Sequence, residues 1–488
     1  MLSGDTFLAI DLGASSGRAI VGALDGDRMQ VHEVHRFRTP LIEEHDHLYW
    51  AIEALWDEVQ RSLDNALQLA PELRSVSIDS WGVDYVPLHA SGQPARRPYS
   101  YRDTRTRGRL EHMLRRLGAD RLYAITGTQF LPINTLSQLI ADIEDEPELV
   151  ARTKTRLFIA DYLLFRLCGA IAAERTMAST SQLYDARTGS WSEEVIRDAG
   201  DTLSRWPRIV DSGTVLGRVS AELLPFGTVA PAVIASCSHD TAAAVAAVPA
   251  TTDDAWAYIC SGTWSLVGAE LPHPILTPEA RGAGFTNEVG LDNTVRFLKN
   301  RMGTWILEEC ARDWRLHASA VDWDALMHEA TAEASPGFVI DCNEASFAER
   351  GEMQAKISRA CSAVGRAMPT TRGALVRLVL ESIASSYRQT LIELELLTGR
   401  DIDVIHVVGG GARNRLLNQL AADACARRVV AGPSEATALG NLLVQARTLG
   451  CIADGLSLRE VVRRSTETAQ FYPQNNSTSL RIEHPVLS

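Results

Sequence analysis

Twice in this chain an apolar run breaks into a Gly/Ser/Thr turn and then becomes apolar again: Phe7-Leu-Ala-Ile-Asp-Leu-Gly-Ala-Ser-Ser-Gly-Arg18 and Ala257-Tyr-Ile-Cys-Ser-Gly-Thr-Trp-Ser-Leu-Val267. In such a turn the small side chains let successive backbone N–H groups converge on one point, where they hold an anion such as phosphate. Either copy alone also reads as an ordinary hairpin turn. Two copies, one in each half of a 488-residue chain, point to two lobes with a nucleotide held between them. Asp11 sits on the strand just before the first turn, and a carboxylate beside phosphates needs a metal cation between them.

Composition removes several other classes. With 45% hydrophobic and 22% charged residues the chain buries a sizeable core and is globular. A formal charge of −13 argues against a nucleic-acid partner, which needs a dense Lys/Arg face, and suits a small-molecule enzyme. No apolar stretch reaches the roughly 18–20 residues of a membrane span, and the start lacks a secretory leader's basic residues, so the expected location is cytoplasmic, away from membranes. The eight cysteines are scattered without a C-x-x-C pair and read as reduced, buried thiols. His45 and His47, among acidic neighbours, read as a polar surface loop rather than a metal site. No Lys follows a G-x-x-x-x-G and no G-x-G-x-x-G follows a strand, so neither the P-loop nor the dinucleotide route to nucleotide binding applies. Lys299, one of only three lysines, reads more readily as solvated than as a phosphate contact.

Strand and helix patterns alternate, which makes the class α/β. A meander follows the first turn, with a tight turn at Asp25-Gly-Asp27. Ile52, Leu55, Val59, Leu63 and Leu67 then share one helical face between 51 and 70. Ser75-Val-Ser-Ile-Asp79 reads as a short strand, 105–117 and 135–148 as helices, and 156–160 as a strand whose follower, Asp161, caps a helix over 162–167. The Pro/Thr/Asp stretch from Val248 to Asp254 is the expected linker, giving domains 1–248 and 249–488. A long helix over 373–397 precedes the strand 403–408 and the triple glycine of Gly409-Gly-Gly-Ala-Arg-Asn414, where backbone can approach a ligand closely. The segment 474–479 reads as a polar tail.

A third constellation is Ala235-Ser-Cys-Ser-His-Asp240-Thr241, followed by alanines. Asp240 has two readings: N-cap of a helix starting at Thr241, or acceptor of a proton from a substrate hydroxyl.

Taken in order, Asp11-Leu-Gly-Ala-Ser-Ser-Gly-Arg18, Ser261-Gly-Thr-Trp-Ser265 and Gly409-Gly-Gly-Ala-Arg-Asn414 resemble the first phosphate loop, second phosphate loop and adenosine loop of the FGGY family of carbohydrate kinases, from about Phe7 to Gln445. Ser80-Trp-Gly-Val-Asp84, Tyr101-Arg-Asp-Thr-Arg105, Gln129 to Gln138, Ser238-His-Asp-Thr241 and Leu298-Lys-Asn300 are most similar to the branch that phosphorylates L-rhamnulose. Thr135 and Gln138 stand where the general family pattern carries Lys and Trp. The resemblance implies two actin-like ATPase (ribonuclease H-like) domains with a cleft between them. It implies ATP and Mg²⁺ as cofactors, a small-molecule sugar as partner, and a monomer or homodimer. Residue by residue it implies Asp240 as general base and Asp11 at the metal. Ala14, Ser15, Ser16, Gly17, Arg18, Thr263 and Gly411 would contact ATP; Gly82, His239, Asp240, Thr241 and Asn300 would contact the sugar. Glu308 stands where Gln is usual for a further ATP contact. Another ketose, such as L-fuculose or L-xylulose, and a non-catalytic actin- or Hsp70-type nucleotide module remain alternatives.

Overall fold

A computed structural model describes residues 2–251, 254–316 and 321–474. They fall into two compact units, the first drawn from within 1–249, 270–298 and 435–466, the second from within 250–269, 299–434 and 467–474. The first long segment ends inside the 248–254 stretch, and two later segments return to the first unit.

The first unit is built on a six-stranded sheet. β1 (Asp5–Leu12) pairs antiparallel with β2 (Ser16–Asp25), and β2 with β3 (Arg28–Arg38). On its other edge β1 runs parallel to β4 (Ser75–Ser80); beyond β4 lies the parallel β6 (Ala232–Ala235), edged by the antiparallel β5 (Thr214–Arg218). β1 is buried from Thr6 to Leu12, as a central strand covered on both faces requires. α1 (Ile52–Leu69) lays Leu55, Val59, Leu63 and Ala66 against β1–β3, each large aliphatic worth about 1.5–3 kcal/mol when fully buried. α2 (Asp240–Ala246) and α3 (Ala436–Thr448) pack together, and α3 also lies on β1, β2 and β4.

The second unit repeats the scheme. β7 (Trp256–Ser261) and β8 (Trp264–Leu271) form the hairpin, β9 (Val404–Val408) runs parallel beside β7, and β10 (Arg428–Ala431) runs parallel beside β9. Each unit therefore carries the same hairpin followed by parallel strands, with one of the two Gly/Ser/Thr turns at its hairpin tip. No helix of the described residues is long and apolar enough to cross a membrane.

Several local expectations change. The expected helix over 105–117 is a single turn at Thr104–Thr106 followed by a helix over Arg109–Leu117, and a further helix over Ala119–Thr126 follows. The strand Thr155–Phe158 runs straight into the helix Ile159–Cys168, so Asp161 lies within the first turn instead of capping it; its Oδ1 accepts the Glu174 N–H at 3.2 Å. The polar tail lies outside the described residues beyond Gln474.

Candidate functional site

The first turn is a tight link from β1 to β2: the Gly13 N–H donates to Ser16 O at 3.1 Å, and the Thr39 hydroxyl donates to Gly13 O at 2.6 Å. Ser15 and Ser16 are exposed at its tip. Gly17 has no room for a side chain, because a Cβ would lie 2.4 Å from the Phe37 ring. Strand register places Arg18 opposite Asp11, and its Nε and Nη2 donate to Asp11 Oδ2 at 2.9 and 2.8 Å. Arg18 also pairs with Glu435, the residue before α3. Burial works against the Arg18 charge, but Asp11 and Glu435 more than offset it and raise its pKa.

Parallel register sets Asp79 beside Asp11. Asp79 is fully buried, and its Oδ2 accepts from Asn441 Nδ2 at 2.6 Å. Burial, then the Asp11 charge, push its carboxyl well above the usual carboxylate range. Asn441 is held in turn by Gln445, which donates to Asn441 Oδ1 and Leu8 O and accepts from Ser75 Oγ. The end of β4 reaches the third constellation: the Ser80 N–H donates to Ser238 O at 2.9 Å, and Ser80 and His239 form a parallel bridge. The buried carboxylate of Glu174 fixes the same loop, its Oε2 accepting the Ser238 N–H at 3.1 Å while Thr176 Oγ1 accepts the His239 N–H at 3.2 Å.

This loop delivers Asp240 to the first position of α2, not to its cap. The Asp240 carboxylate accepts the adjacent Thr241 N–H at 2.5 Å, whereas an N-cap side chain would serve the second or third helical N–H. Its side chain keeps 27% of its surface exposed, enough to meet a ligand. Burial first, and then the charge of Asp11, push its pKa up to about 7. A carboxyl poised there exchanges a proton readily near neutral pH. His239 is buried, and burial together with the Arg296 charge holds it well below the usual imidazole range. Gly82, beyond the end of β4, meets Thr180 closely: a Cβ would lie 3.0 Å from its hydroxyl oxygen.

Near this loop Asp84 ties the aromatic Trp50 and Trp81 together. Its carboxylate accepts from Trp50 Nε1 at 2.6 Å, Gln138 Nε2 at 2.7 Å, Trp81 Nε1 at 3.0 Å and the Tyr101 N–H at 3.1 Å. Burial raises its pKa to about 6 against those donors. Thr135 and Gln138 both reach the Val83 carbonyl, so the Gln129–Gln138 block is a support for the Ser80–Asp84 turn.

The first unit thus gathers Asp11, the Ala14–Arg18 turn, Gly82, His239, Asp240 and Thr241. The second unit gathers Thr263, Glu308 and Gly411. Thr263 Oγ1 donates to Glu308 Oε1 at 3.4 Å, and the tip of the second turn is clamped by the Gly303 and Thr304 N–H groups, which donate to Thr263 O and Gly262 O at 3.2 and 3.0 Å. Gly411 lies against the same turn: a Cβ there would stand 2.0 Å from Ser261 Oγ and 2.9 Å from Ser261 O. Gly411→Ala is expected to cost about 1–3 kcal/mol by overpacking, read as a lower Tm in a thermal melt; an unchanged Tm would show that the turn yields freely. Asn300 is half-buried on the strand Val295–Met302 in the second unit. Its neighbour Lys299 corrects the solvated reading: Nζ donates to Glu393 Oε2 at 2.7 Å with only 12% of the side chain exposed. The carboxylate offsets the cost of burying the ammonium.

Residues 6–247 match the N-terminal domain of the FGGY family of carbohydrate kinases, and residues 257–449 match its C-terminal domain. The chain is 38% identical over 470 residues to a rhamnulokinase of Bacteroides thetaiotaomicron, covering 96% of both chains. It is 40% identical over 476 residues to a rhamnulokinase of Klebsiella pneumoniae, covering 97% of this chain and 96% of that one. Its fold is shared with solved structures of a xylulose kinase from Lactobacillus acidophilus (TM-score 0.80, 15% identity, 96% and 94% coverage) and a Plasmodium falciparum glycerol kinase with ADP (TM-score 0.78, 16% identity, 97% and 95% coverage).

Proposed function

The chain belongs to the FGGY family of carbohydrate kinases, and from that membership we propose that it transfers the γ-phosphoryl group of ATP to the 1-hydroxyl of L-rhamnulose. The observation that carries the chemistry is the Asp240 carboxyl, part-exposed at the start of α2 and poised at about 7. The choice of sugar is supported by relatives named rhamnulokinase at 38–40% identity along nearly the whole chain.

In the proposed reaction the 1-hydroxyl gives its proton to Asp240 as its oxygen bonds to the γ-phosphorus, and the bond from that phosphorus to the bridging oxygen breaks, releasing ADP with the electron pair. Phosphoryl transfer asks the protein chiefly for positioning and charge neutralisation. The Ala14–Arg18 turn and Thr263 supply donors for phosphate oxygens, Gly411, packed against Ser261, is assigned to the nucleotide, and Glu308 orients Thr263 through the bond between them. Gly82, His239, Thr241 and Asn300 are assigned to the sugar. Asp11 fits Mg²⁺: it is a hard oxygen donor beside a second carboxylate, Asp79, and Mg²⁺ is bound through one or two carboxylates together with substrate phosphates. Bound there, the ion would offset phosphate charge.

ADP release against a panel of L-rhamnulose, L-fuculose, D-xylulose, L-xylulose and glycerol tests the proposal. L-Rhamnulose is expected to give the highest kcat/KM. A higher value for another ketose would reassign the sugar, and equal rates with and without every sugar would remove the kinase reading.

A further inference from the structure

Arg296 lies on the strand Val295–Met302 with its side chain fully buried, and every bond it makes in the first unit converges on the loop that carries Asp240 or on the hairpin partner Thr286–Val289. Nε donates to Val289 O at 3.2 Å, Nη1 to Thr241 Oγ1 at 3.1 Å, and Nη2 to Glu288 Oε2 at 3.0 Å. Nη2 also stands 3.0 Å from His239 Nδ1. Guanidinium carries only donors, so a ring nitrogen at that distance must present its lone pair. A proton on Nδ1 would point at the Arg296 N–H. Two oxygens stand near Nδ1: Glu288 Oε2 at 3.5 Å, beyond a normal hydrogen bond and already accepting from Arg296, and Thr241 Oγ1 at 3.2 Å, which is also 3.0 Å from Nε2 and, being almost equidistant from the two ring nitrogens, lines up with neither ring N–H. Neutral imidazole has a single N–H, which therefore falls on Nε2.

We propose that Arg296 is a positioning residue that locks His239 in the neutral Nε2–H tautomer, so that His239 donates a hydrogen bond to the sugar oxygen next to the hydroxyl that is phosphorylated. His239 Nε2 lies 3.4 Å from Asp240 Oδ1. A donor and a proton acceptor at that spacing match two oxygens on adjacent carbons, one giving its proton to Asp240 and the other accepting from His239. In a 1-phosphorylated ketose those are the C1 hydroxyl and the C2 oxygen. Burial and the Arg296 charge both disfavour the imidazolium, which would leave no lone pair for Arg296. Glu288 balances the guanidinium, so the clamp adds no net charge beside Asp240. Thr241 belongs to the same clamp: its oxygen accepts from Arg296 and stands 3.2 and 3.0 Å from His239 Nδ1 and Nε2.

The sugar contact rests on the proposed function, whereas the tautomer lock does not, and two measurements separate them. In ligand-free enzyme labelled with ¹⁵N-histidine, with the His239 signal assigned by its loss in His239→Gln, Nε2 is expected to be protonated and Nδ1 bare. A protonated Nδ1 overturns the lock. Arg296→Met alone would strand Glu288 in the interior, so the informative variant is Arg296→Met with Glu288→Gln, which removes both charges. It is expected to show a mixture of tautomers and a sugar KM raised about 10-fold or more, with the KM for ATP within about twofold of wild type. Retention of the Nε2–H form in that variant overturns the lock, and a shifted tautomer with unchanged sugar KM overturns the donor role of His239. Arg296→Lys keeps a cationic donor and is expected to keep the Nε2–H tautomer; if the double variant fails to fold, loss of that tautomer in Arg296→Lys at unchanged Tm overturns the lock. Wild-type enzyme that turns over no L-rhamnulose yet shows the Nε2–H signal sinks the substrate assignment and leaves the lock standing.

Discussion

Asp240→Asn is expected to lower kcat by about 10²–10⁴-fold while ATP binding, read by calorimetry, stays within a few-fold of wild type. Asparagine keeps the shape and a carbonyl oxygen for the Thr241 N–H but cannot take a proton. The wild-type pH profile carries the same information. The base works only when ionised, so kcat/KM is expected to rise about tenfold per pH unit on the acid side and level off above about 7, the value to which burial and Asp11 push Asp240. A stability change of opposite sense accompanies it. Because the folded pKa lies above the unfolded carboxylate value, the stability that this group contributes is present at acidic pH and is lost as the pH rises through about 7. Ligand-free Asp240→Asn is therefore expected to melt above wild type at pH 8 and close to it at pH 4. A variant with near-normal turnover would return Asp240 to a structural part at the start of α2. One that melted below wild type at pH 8 would show that the ionised carboxylate is not under strain.

What could be read along the chain and what could not divide along a physical line. The two turns, the hairpins that carry them and the long helix before β9 are local: glycine, period and capping residues a few positions apart specify them. Asp240 was legible as a residue type at a strand-to-helix junction, yet the helix starts one residue earlier than expected, which removes the cap reading. Asp79, Asn441 and Gln445 were missed because strand pairing and helix packing bring them together across 362 residues. A local trace did exist: Asn441 and Gln445 are two amides four apart in a helix otherwise buried with Ala, Leu, Gly and Val, and buried amides need partners. Glu174, Glu288 and Arg296 left no such trace, since a charged residue reads as solvated until its neighbours are known. Lys299 failed in the same way, with Glu393 as the unseen partner. The segments 270–298 and 435–466 join the first unit through long-range packing that has no signature in composition.

The same packing makes a residue remote from any ligand contact decisive. Gly440 on α3 faces Ala243 on α2, and a Cβ at Gly440 would stand 1.9 Å from Ala243 O and 2.8 Å from its carbonyl carbon. Both atoms are backbone, so no rotamer change relieves the overlap and the helices must separate. Alanine favours helix over glycine by about 0.5–1 kcal/mol, but forced separation of packed elements costs about 1–3 kcal/mol and sometimes more, so the clash wins. Gly440→Ala is expected to lower the Tm by roughly 2–8 °C. The catalytic effect is expected to be larger than the stability effect. Ala243 is three residues beyond Asp240 on α2, and Asn441, next to Gly440 on α3, holds the carboxylate that pairs in register with Asp11. A shift between these helices moves Asp240 against Asp11, and a misplacement of about 1 Å in a reacting constellation costs on the order of 10²-fold in rate. Steady-state kinetics on folded Gly440→Ala enzyme, well below its melting range, should show kcat/KM reduced by about that factor. Full activity at a lowered Tm would mean that α2 moves with Asp11 as one body and that the helix contact sets stability alone.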